Sequence, residues 1–347
     1  MRVAVKLWGT SLAIAGAFAL SAPSALASTY SVTNLGSLGD GITFATGINN
    51  NGQVTGYSYL GTEVQIPCPP HKYGPKVCFT HPYHAFLYGG GVMTDLGTLG
   101  GLDSRGNAIN NLGEVVGTSA LATGSSAFTD QGGAAMTAIN TGDPMAINDS
   151  GEIAGEGSFL VAGTPGDIFE QAFTYQSGKT TVLGLLPGAG GSFTGASGIN
   201  ASGEVVGSGD NAASDERAWE YLGGVMSDIG TLGGPQASAA AINAGGQIVG
   251  FSQTSTDADD GFLYQGGKMT DLGLNVLPDG INIHGVIVGE GPGGAFVGTA
   301  GHLQNLNSLV PGYTLTNAVA INDNGQIVAQ GNNNTSGQGD AFLLTPS

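Results

Sequence analysis

The chain contains 347 residues with 8 basic and 26 acidic side chains, so its formal net charge at pH 7 is −18. An acidic surface of this strength repels phosphate backbones, which argues against nucleic acid as a partner. Glycine occurs 63 times beside a hydrophobic content of 41%. Since no long apolar stripe of helical period is present, the composition predicts short strands and tight turns.

Residues 1–27 have the features of a secretory signal peptide. Arg2 and Lys6 give a positive start, which an apolar run over residues 7–20 follows, and residues 25–27 form a small-x-small cleavage site. The run is shorter than the roughly 20 residues of a bilayer span, so a cleaved leader is favoured over a retained anchor. Without the leader the net charge is −20, and the mature chain is predicted to cross no membrane and to be secreted or periplasmic.

The only two cysteines, Cys68 and Cys78, bound the segment CPPHKYGPKVC. In an exported protein an even pair is typical of a disulfide, and this bridge would clamp a proline-rich insertion. A metal site is the alternative, because His71, His81 and His84 are close in sequence. The disulfide is favoured, since the spacing fits no standard zinc pattern.

A nine-residue pattern, I-N-x-x-G-x-[VI]-x-G, occurs seven times. Successive copies are 61, 38, 52, 43, 39 and 40 residues apart, and the last copy replaces the final glycine by Ala329. A period near 40 with insertions of variable length indicates a repeat architecture. The asparagines of the seven copies are Asn49, Asn110, Asn148, Asn200, Asn243, Asn282 and Asn322.

Each copy of this pattern predicts a hairpin turn. Asparagine at the first position of a four-residue turn caps the backbone, and glycine at the fourth position accepts a positive φ. Apolar residues alternate on both sides of the turn, as they do in paired strands. A motif that recurs seven times with variable middle residues is a scaffold turn rather than an active site. It also lacks the distal glutamate and the alternating oxygen ligands of a calcium loop.

Two further elements accompany each turn. One is an aromatic strand, from HAFLY at His84 to DAFLL at Asp340. The other is a strand that ends in D-L-G or a related triplet, as in GGVMTDLGTLGG from Gly90 and GGVMSDIGTLGG from Gly223. A lone copy of this second element, YSVTNLGSLG, stands directly after the predicted leader.

Each repeat thus supplies four short antiparallel strands in about 40 residues, which is the size of a propeller blade. The predicted fold is all-β, a seven-bladed β-propeller of four-stranded antiparallel blades that forms one domain over residues 28–347. The N-terminal strand is predicted to pair with the C-terminal blade, because each lacks the element that the other has. An open β-solenoid is the alternative, and it would need polar caps at both ends.

The combined motifs resemble the HAF repeat, which is named for its His-Ala-Phe tripeptide. The resemblance covers almost the whole mature chain and rests on His84-Ala85-Phe86, the DLGTLGG runs and the INxxGxxVG turns. Only the first unit keeps the full tripeptide, so a catalytic histidine shared by all units is ruled out. The resemblance implies an extracellular bacterial repeat protein and no particular activity.

Motifs of catalysis are scarce. The chain has no G-x-S-x-G elbow, no H-E-x-x-H and no phosphate-binding loop. His284 and His302 have no nucleophile paired with them in sequence, so both are interpreted as exposed repeat substitutions. No cofactor is predicted. Calcium binding by the acidic loops is kept as the alternative.

The connections between the second strand and the aromatic strand vary in length. They are long at residues 57–83 and 156–170 and short at 290–293. Two of them are acidic, and their charges either keep a glycine-rich protein soluble or bind a ligand or a cation. The candidate binding residues are Asp210, Asp215, Glu216, Asp257, Asp259 and Asp260.

Two functions follow from this organisation. The favoured one is a monomeric binding or interaction scaffold for an extracellular polysaccharide or protein, because the loops vary on one propeller face while the Asn turns keep one length on the other. The alternative is a propeller hydrolase or lyase that acts on an extracellular polysaccharide. It would require two carboxylates roughly 5–10 Å apart across the channel mouth.

Overall fold

The fold was analysed in a computed structural model, which contains seven four-stranded antiparallel sheets and one two-stranded hairpin among the described residues. This arrangement confirms the seven-bladed β-propeller and excludes the open β-solenoid. The residues that the structure describes are 27, 29–39, 41–67, 77–160, 167–188, 193–337 and 339–347.

The described strands and the single short 3-10 helix follow one another around the ring. In chain order the first fifteen strands are β1 (Tyr30–Asn34), β2 (Thr43–Ile48), β3 (Val54–Tyr59), β4 (Val64–Pro67), β5 (Val77–Thr80), β6 (Tyr83–Gly89), β7 (Val92–Asp95), β8 (Ser104–Ile109), β9 (Glu114–Ala120), β10 (Ser125–Gln131), β11 (Thr137–Ile139), β12 (Asp143–Ile147), β13 (Ile153–Leu160), β14 (Ile168–Gln176) and β15 (Lys179–Gly184).

The remaining elements complete four more blades. They are β16 (Thr194–Ile199), β17 (Val205–Asp210), β18 (Glu216–Leu222), β19 (Val225–Asp228), β20 (Gly233–Ile242), β21 (Ile248–Thr254), β22 (Asp259–Gln265), β23 (Lys268–Leu274), β24 (Leu277–Ile281), β25 (Ile287–Gly291), β26 (Gly294–Thr299), β27 (His302–Asn305), the 3-10 helix η1 (Leu306–Leu309), β28 (Tyr313–Ile321), β29 (Ile327–Asn333) and β30 (Gly339–Pro346).

Blade one comprises β2, β3, β6 and β7, and blades two to six comprise β8–β11, β12–β15, β16–β19, β20–β23 and β24–β27. Blade seven comprises β28–β30 and β1. The first strand of each blade contacts the first strands of both neighbouring blades, so these seven strands surround the central axis. The four strands predicted for each repeat are therefore all present.

The ring closes through the N-terminal strand. β1 pairs antiparallel with β30, with Tyr30 opposite Pro346 and Asn34 opposite Phe342. Tyr30 is 9% exposed and Leu35, just after β1, is 4% exposed. The predicted pairing of the two chain ends is thus confirmed, and it removes two sheet edges that would otherwise be open.

The hydrophobic core lies between the blades. Seven clusters of buried residues are present, one at each contact between neighbouring blades. The aromatic residue of the third strand is the largest buried group in most of these clusters, as Phe86, Phe128 and Trp219 illustrate with no exposed surface. This burial explains why a small residue followed by an aromatic one recurs in every repeat, with Ala in six of them and Gly261 in blade five.

The final glycine of the repeated pattern allows the inner two strands to approach closely. A Cβ on Gly117 would lie 1.9 Å from the Arg105 carbonyl oxygen and 2.9 Å from the Phe128 ring. Each inner strand also has a β-bulge three residues before its turn asparagine. In blade seven, where Ala329 replaces the glycine, β28 has a second bulge between Leu315 and Asn317.

The turn asparagines have a second role that connects the blades. Each is buried, and its side-chain oxygen accepts hydrogen bonds from the backbone two and four residues later, as Asn243 does from Gly245 and Gln247 at 2.9 and 3.0 Å. Each side-chain nitrogen donates to the main-chain oxygen of the equivalent asparagine in the next blade, at 2.8–3.3 Å. Since Asn322 donates to Asn49, these seven bonds form a closed circle, which we name the Asn ring.

Candidate functional site

The propeller has two different faces. The turns of the Asn ring form the Asn-turn face, and each has its glycine at positive φ, as predicted. The connections between second and third strands form the opposite, variable-loop face. There the chain adds the hairpin β4–β5 in blade one and extends β13 and β14 until Leu160 pairs with Ile168 in blade three. The described parts of the 156–170 insertion are therefore mainly strand.

The acidic connection of blade four is a capped turn. Asn211 repeats the chemistry of the turn asparagines, since its side-chain oxygen accepts from the Ala213 and Asp215 backbone at 2.8 and 3.0 Å. Its side-chain nitrogen donates to the Asp215 carboxylate at 3.2 Å. Asp210 and Glu216 pair across β17 and β18. Part of this acidic group is thus explained by local turn structure.

The acidic connection of blade five is also a turn. The Asp257 backbone nitrogen donates to the Thr254 carbonyl, and Asp257 has a φ of 59°. Asp259 begins β22, whereas Asp260 is only 7% exposed and lies beside the Asp271 carboxylate. Burial and Asp271 raise the pKa of Asp260. The structure places the six predicted acidic residues in two separate blades, and a ligand role for them stays a prediction.

The cysteine insertion is described only at its two ends. Cys78 lies in β5 and is not a free thiol, whereas Cys68 and His71 lie outside the described residues. His81 lies 3.7 Å from the Glu63 carboxylate. The structure shows no group of three or more histidines, cysteines or acidic residues suited to a metal within its described ranges. The Cys68–Cys78 disulfide and the calcium hypothesis both stay predictions.

The histidine of the HAF tripeptide connects two strands of one blade. His84 Nδ1 lies 2.9 Å from both carboxylate oxygens of Asp95 on the neighbouring β7. Burial would raise the pKa of Asp95, but the hydrogen bonds from His84 and Gly97 outweigh burial and hold that pKa below its ordinary value. Arg217 makes the same contact to Asp228 at 2.9 Å in blade four. In blades one and four the residue at the histidine position therefore links the two outer strands.

An aromatic cluster of four rings lies on the variable-loop face of blade one. Phe44 and Tyr57 stack at 5.0 Å between ring centroids, and Tyr83 lies 5.1 Å from Tyr57 and 5.6 Å from Tyr59. All four rings are half-buried. The Arg105 guanidinium of blade two lies over the Tyr57 ring at 5.2 Å, which is within the range of a cation–π contact.

Two pockets flank this aromatic cluster. One has a volume of about 360 Å³ and is lined by Tyr83, Asp103, Arg105 and Asp143, among others. The other has a volume of about 370 Å³, and Tyr59 lines it together with residues of the neighbouring loops. A half-exposed aromatic wall between two pockets, one of them lined by charged side chains, is typical of a site that binds a ligand.

Three carboxylates continue the site into blade three. Asp143 and Glu156 pair across β12 and β13, and Glu170 lies in the extended part of β14. Burial raises the pKa of Glu156, and the neighbouring carboxylates of Glu170 and Asp143 raise it further. The rim of the variable-loop face thus presents an aromatic wall, one guanidinium and an acidic group in three consecutive blades.

Sequence reasoning missed the aromatic cluster, because its members are distributed over 40 residues of chain. A signal was nevertheless present once the repeats are aligned on the turn asparagine. Tyr57 lies eight residues after Asn49, and the equivalent positions in the next two blades are Thr118 and Glu156. Because these positions lie side by side around the ring, aligned repeats predict which residues share a face.

The bulge position of the inner strands faces the central axis and bonds to the next blade. Thr46 Oγ1, Asn107 Nδ2 and Ser197 Oγ each donate there to a main-chain oxygen of the following blade, at 2.6–2.8 Å. Blade six has Asp279 at this position, where solvent reaches the side chain although protein surrounds it. Burial raises the pKa of Asp279 to about 6; Asn317 opposes this rise through a hydrogen bond, and Glu290 adds to it.

Replacing Asp279 by Asn is expected to stabilise the protein at neutral pH. The folded pKa of about 6 lies above the ordinary value of 3.8, so the wild-type free energy of unfolding should rise as pH falls from 7 towards 4. Asp279→Asn removes this charge and adds a donor equivalent to that of Asn107, which should contribute about 1 kcal/mol after solvent screening. Urea unfolding of both proteins at pH 7, 6 and 5 measures the difference, which should shrink as pH falls. A constant difference would contradict the assignment.

The comparisons with known proteins agree with the propeller fold. No family model matches the chain, and no curated protein matches it significantly. The solved structure of YCF48 bound to a D1 peptide is similar with a TM-score of 0.50 and 10% identity, covering 92% of this chain and 96% of that one. A prolyl endopeptidase has a TM-score of 0.53 and 12% identity, covering 92% of this chain and 50% of that one.

A puromycin hydrolase is similar at a TM-score of 0.50 and 11% identity, covering 92% of this chain and 56% of that one. The chain therefore spans only about half the length of either hydrolase. At such identities these likenesses show a shared propeller and nothing about ligands. No helix among the described residues is long and apolar enough to cross a bilayer, and the predicted leader over residues 1–27 lies almost wholly outside them.

Proposed function

We propose that this protein is an exported HAF-repeat scaffold that binds a neutral polysaccharide on its variable-loop face. The observation that carries the proposal is the aromatic cluster with Arg105 over one of its rings and a pocket on either side. The acidic connections of blades four and five, predicted from sequence, become a secondary contact surface in this proposal.

The aromatic cluster suits a sugar ring for a physical reason. Pyranose rings have an apolar face of C–H groups that packs on the face of a tyrosine, while the phenol hydroxyl at the ring edge hydrogen-bonds to sugar hydroxyls. Tyr59 and Tyr83 are half-buried, so their exposed parts can be covered without large side-chain rearrangement. Rigid side chains of this kind lose little conformational entropy on binding.

The charges around the cluster favour a neutral polymer. Sugar hydroxyls can donate to the carboxylates of Asp103 and Asp143 and accept from Arg105, all of which line one pocket. A polyanionic chain would be repelled by a protein whose formal net charge is −18. The neutral class is therefore preferred over acidic polysaccharides.

The cellular location in this proposal rests on the leader sequence. The segment over residues 1–27 has the charge, the apolar run and the cleavage site of a secretory signal. Export would bring the variable-loop face into contact with polysaccharides of the periplasm or the medium. Secretion of the processed protein, with its first residue determined by N-terminal sequencing, tests this part.

Removal of the tyrosine side-chain rings from the aromatic cluster is expected to weaken oligosaccharide binding strongly. A glycan array with the purified mature chain first identifies the best neutral oligosaccharide, and calorimetry then gives its Kd. Tyr59→Ala with Tyr83→Ala should raise that Kd about 30-fold or more, since each stacked ring contributes about 1 kcal/mol or more. Tyr59→Phe keeps the ring and loses only the hydroxyl hydrogen bond, so it should raise Kd less than about tenfold.

A matched comparison separates this site from the acidic connections. Asp215→Asn with Glu216→Gln, and Asp257→Asn with Asp259→Asn, remove charge from blades four and five without touching the aromatic cluster. Both variants should bind the oligosaccharide within about threefold of wild type. If they lose binding while the tyrosine variants keep it, the acidic connections are the site. Binding to proteins but to no glycan on the array would refute the polysaccharide proposal.

A polysaccharide hydrolase is the second candidate function. It is favoured by one observation, the raised pKa of Glu156 beside Asp143 and Glu170, because a carboxylic acid with raised pKa can act as general acid. All three carboxylates belong to blade three rather than lying across the channel. Incubation of the bound oligosaccharide with wild type and with Glu156→Gln decides this. Cleavage by wild type alone would replace the scaffold proposal.

A further inference from the structure

A second ring of hydrogen bonds lies on the Asn-turn face, one residue beyond the Asn ring. In four turns the N–H after the ring asparagine donates to a side-chain oxygen at the same position of the next blade. Asn50 donates to Asn111 at 2.7 Å, and Asn111 donates to Asp149 at 2.8 Å. In blades six and seven, Ile283 donates to Asp323 at 3.0 Å and Asp323 donates to Asn50 at 2.9 Å.

Three consecutive turns of the described chain lack this bond. The N–H groups of Asp149, Ala201 and Ala244 face positions where the next blade has Ala201, Ala244 and Ile283, whose side chains have no oxygen. We name these three N–H groups the open arc. All three residues are exposed, so these N–H groups are open to a ligand, and none of them donates to an acceptor among the described residues.

The open arc faces a cavity. A depression of about 360 Å³ at the mouth of the central axis is lined by all three residues of the open arc, by Ile283 and by the Asn ring residues beside them. In the other half of the cavity rim, the corresponding N–H groups already donate to the side-chain oxygens of Asn50, Asn111, Asp149 and Asp323. The occupied half of this ring therefore shows which groups accept these N–H bonds, namely amide and carboxylate oxygens.

We propose that the open arc is a binding site for the amide oxygens of a peptide segment, which would complete the second ring from outside. The cavity lining contains no lysine or arginine and includes the carboxylates of Asp149 and Asp323, so an anionic ligand would be repelled. A neutral amide oxygen matches the role that Asn50 and Asn111 perform in the satisfied half. This site lies on the face opposite the aromatic cluster and is independent of polysaccharide binding.

The direct test observes the three N–H groups themselves. N-acetyl-asparagine methylamide is titrated into ¹⁵N-labelled wild-type protein, and amide shifts are followed by TROSY NMR. The N–H signals of Asp149, Ala201 and Ala244 should shift downfield together, whereas those of Asn50 and Asn111 should not. Acetate at the same concentration and pH 7 should produce smaller shifts. Absence of any shift in the open arc, or equal shifts at the occupied N–H groups, would overturn the proposal.

The second test is a variant whose own side chains supply acceptors for the three N–H groups of the open arc. Ala201→Asn, Ala244→Asn and Ile283→Asn together place an amide oxygen opposite each of the three N–H groups, so the response to the probe should be lost. Ile283 is 49% exposed, and Ile283→Asn alone, which occupies only the Ala244 N–H, serves if the triple variant does not fold. Retention of the wild-type response by the filled variant would contradict the assignment.

Leu112→Asn provides the matched control. It adds an amide to the same face at the second position after a ring asparagine, and Leu112 is 72% exposed. The existing side chains at that position, Asn51 and Asn324, donate to main-chain oxygens at 2.8 and 2.7 Å instead of accepting from the N–H groups. The control should therefore keep the full response, and its loss would show that any added amide on this face disturbs the site.

Discussion

Deletion of residues 28–36 is expected to destabilise the whole ring rather than to fray one blade. The deleted segment contains β1, which pairs with β30 along its full length, and the buried side chains of Tyr30 and Leu35. Burial of these two side chains contributes about 4 kcal/mol and the ladder hydrogen bonds about 1 kcal/mol each. The free energy of unfolding should fall by more than about 5 kcal/mol and Tm by at least about 7 °C. Calorimetry and urea unfolding measure both.

A variant in which this strand is moved to the C-terminus tests whether the lost stability comes from the missing pairing of β1 with β30. The backbone of Ser347 donates to the Thr29 carbonyl at 3.1 Å, so these two residues lie side by side. Moving residues 29–39 behind Ser347 through a short turn should restore the strand and recover most of the lost Tm. If the deletion variant melts at the wild-type temperature, β1 does not close the ring in solution.

Asn243→Ala is expected to produce the second largest loss of stability. The buried Asn243 side chain accepts two backbone hydrogen bonds, and it donates to Gln247 at 2.7 Å and to the Asn282 main chain in blade six at 2.8 Å. Alanine leaves these partners without their bonds inside the protein, at a cost of about 1–3 kcal/mol for each buried group. The expected loss is about 3 kcal/mol in the free energy of unfolding, measured by urea denaturation at pH 7.

Asn211→Ala is the matched control for this measurement. Asn211 makes the same bonds within its own turn, but it lies half-exposed on the variable-loop face, and none of the bonds found for its side chain crosses to another blade. Its replacement should cost about 1 kcal/mol, as for an ordinary cap. Equal losses in the two variants would show that the Asn ring adds nothing beyond turn capping.

The architecture could be predicted from the sequence because the information is local and repeated. Seven I-N-x-x-G turns, seven aromatic strands and the unpaired D-L-G strand at the N-terminus each report short-range backbone preferences. Only one arrangement leaves neither chain end with an unpaired strand. The closure of blade seven by β1 followed from that count alone.

The connection between blades could not be predicted in the same way. The sequence shows that asparagine suits the turn, but a single repeat does not reveal that Asn49 Nδ2 donates to the main chain of Asn110. That bond depends on the angle between neighbouring blades. The same limitation applies to the aromatic cluster, whose four rings come from β2, β3 and β6 and meet only after the strands pair.

The acidic residues show how composition alone can mislead a search for a site. Asp215 accepts from Asn211 within a turn, and Asp260 is buried beside Asp271. Both residues have local structural contacts that a count of carboxylates does not reveal. Alignment of the repeats on the turn asparagine, which shows an aromatic residue at Tyr57 where the next two blades have Thr118 and Glu156, would have been the more informative signal.

The most direct test of polysaccharide binding is a crystal structure of the protein soaked with the best neutral oligosaccharide from the glycan array. We predict a sugar ring in van der Waals contact with Tyr59 or Tyr83 and sugar hydroxyls hydrogen-bonded to Arg105 or Asp103. A sugar seated on the acidic connections of blades four and five, or on the Asn-turn face, with the aromatic cluster empty, would contradict the proposal.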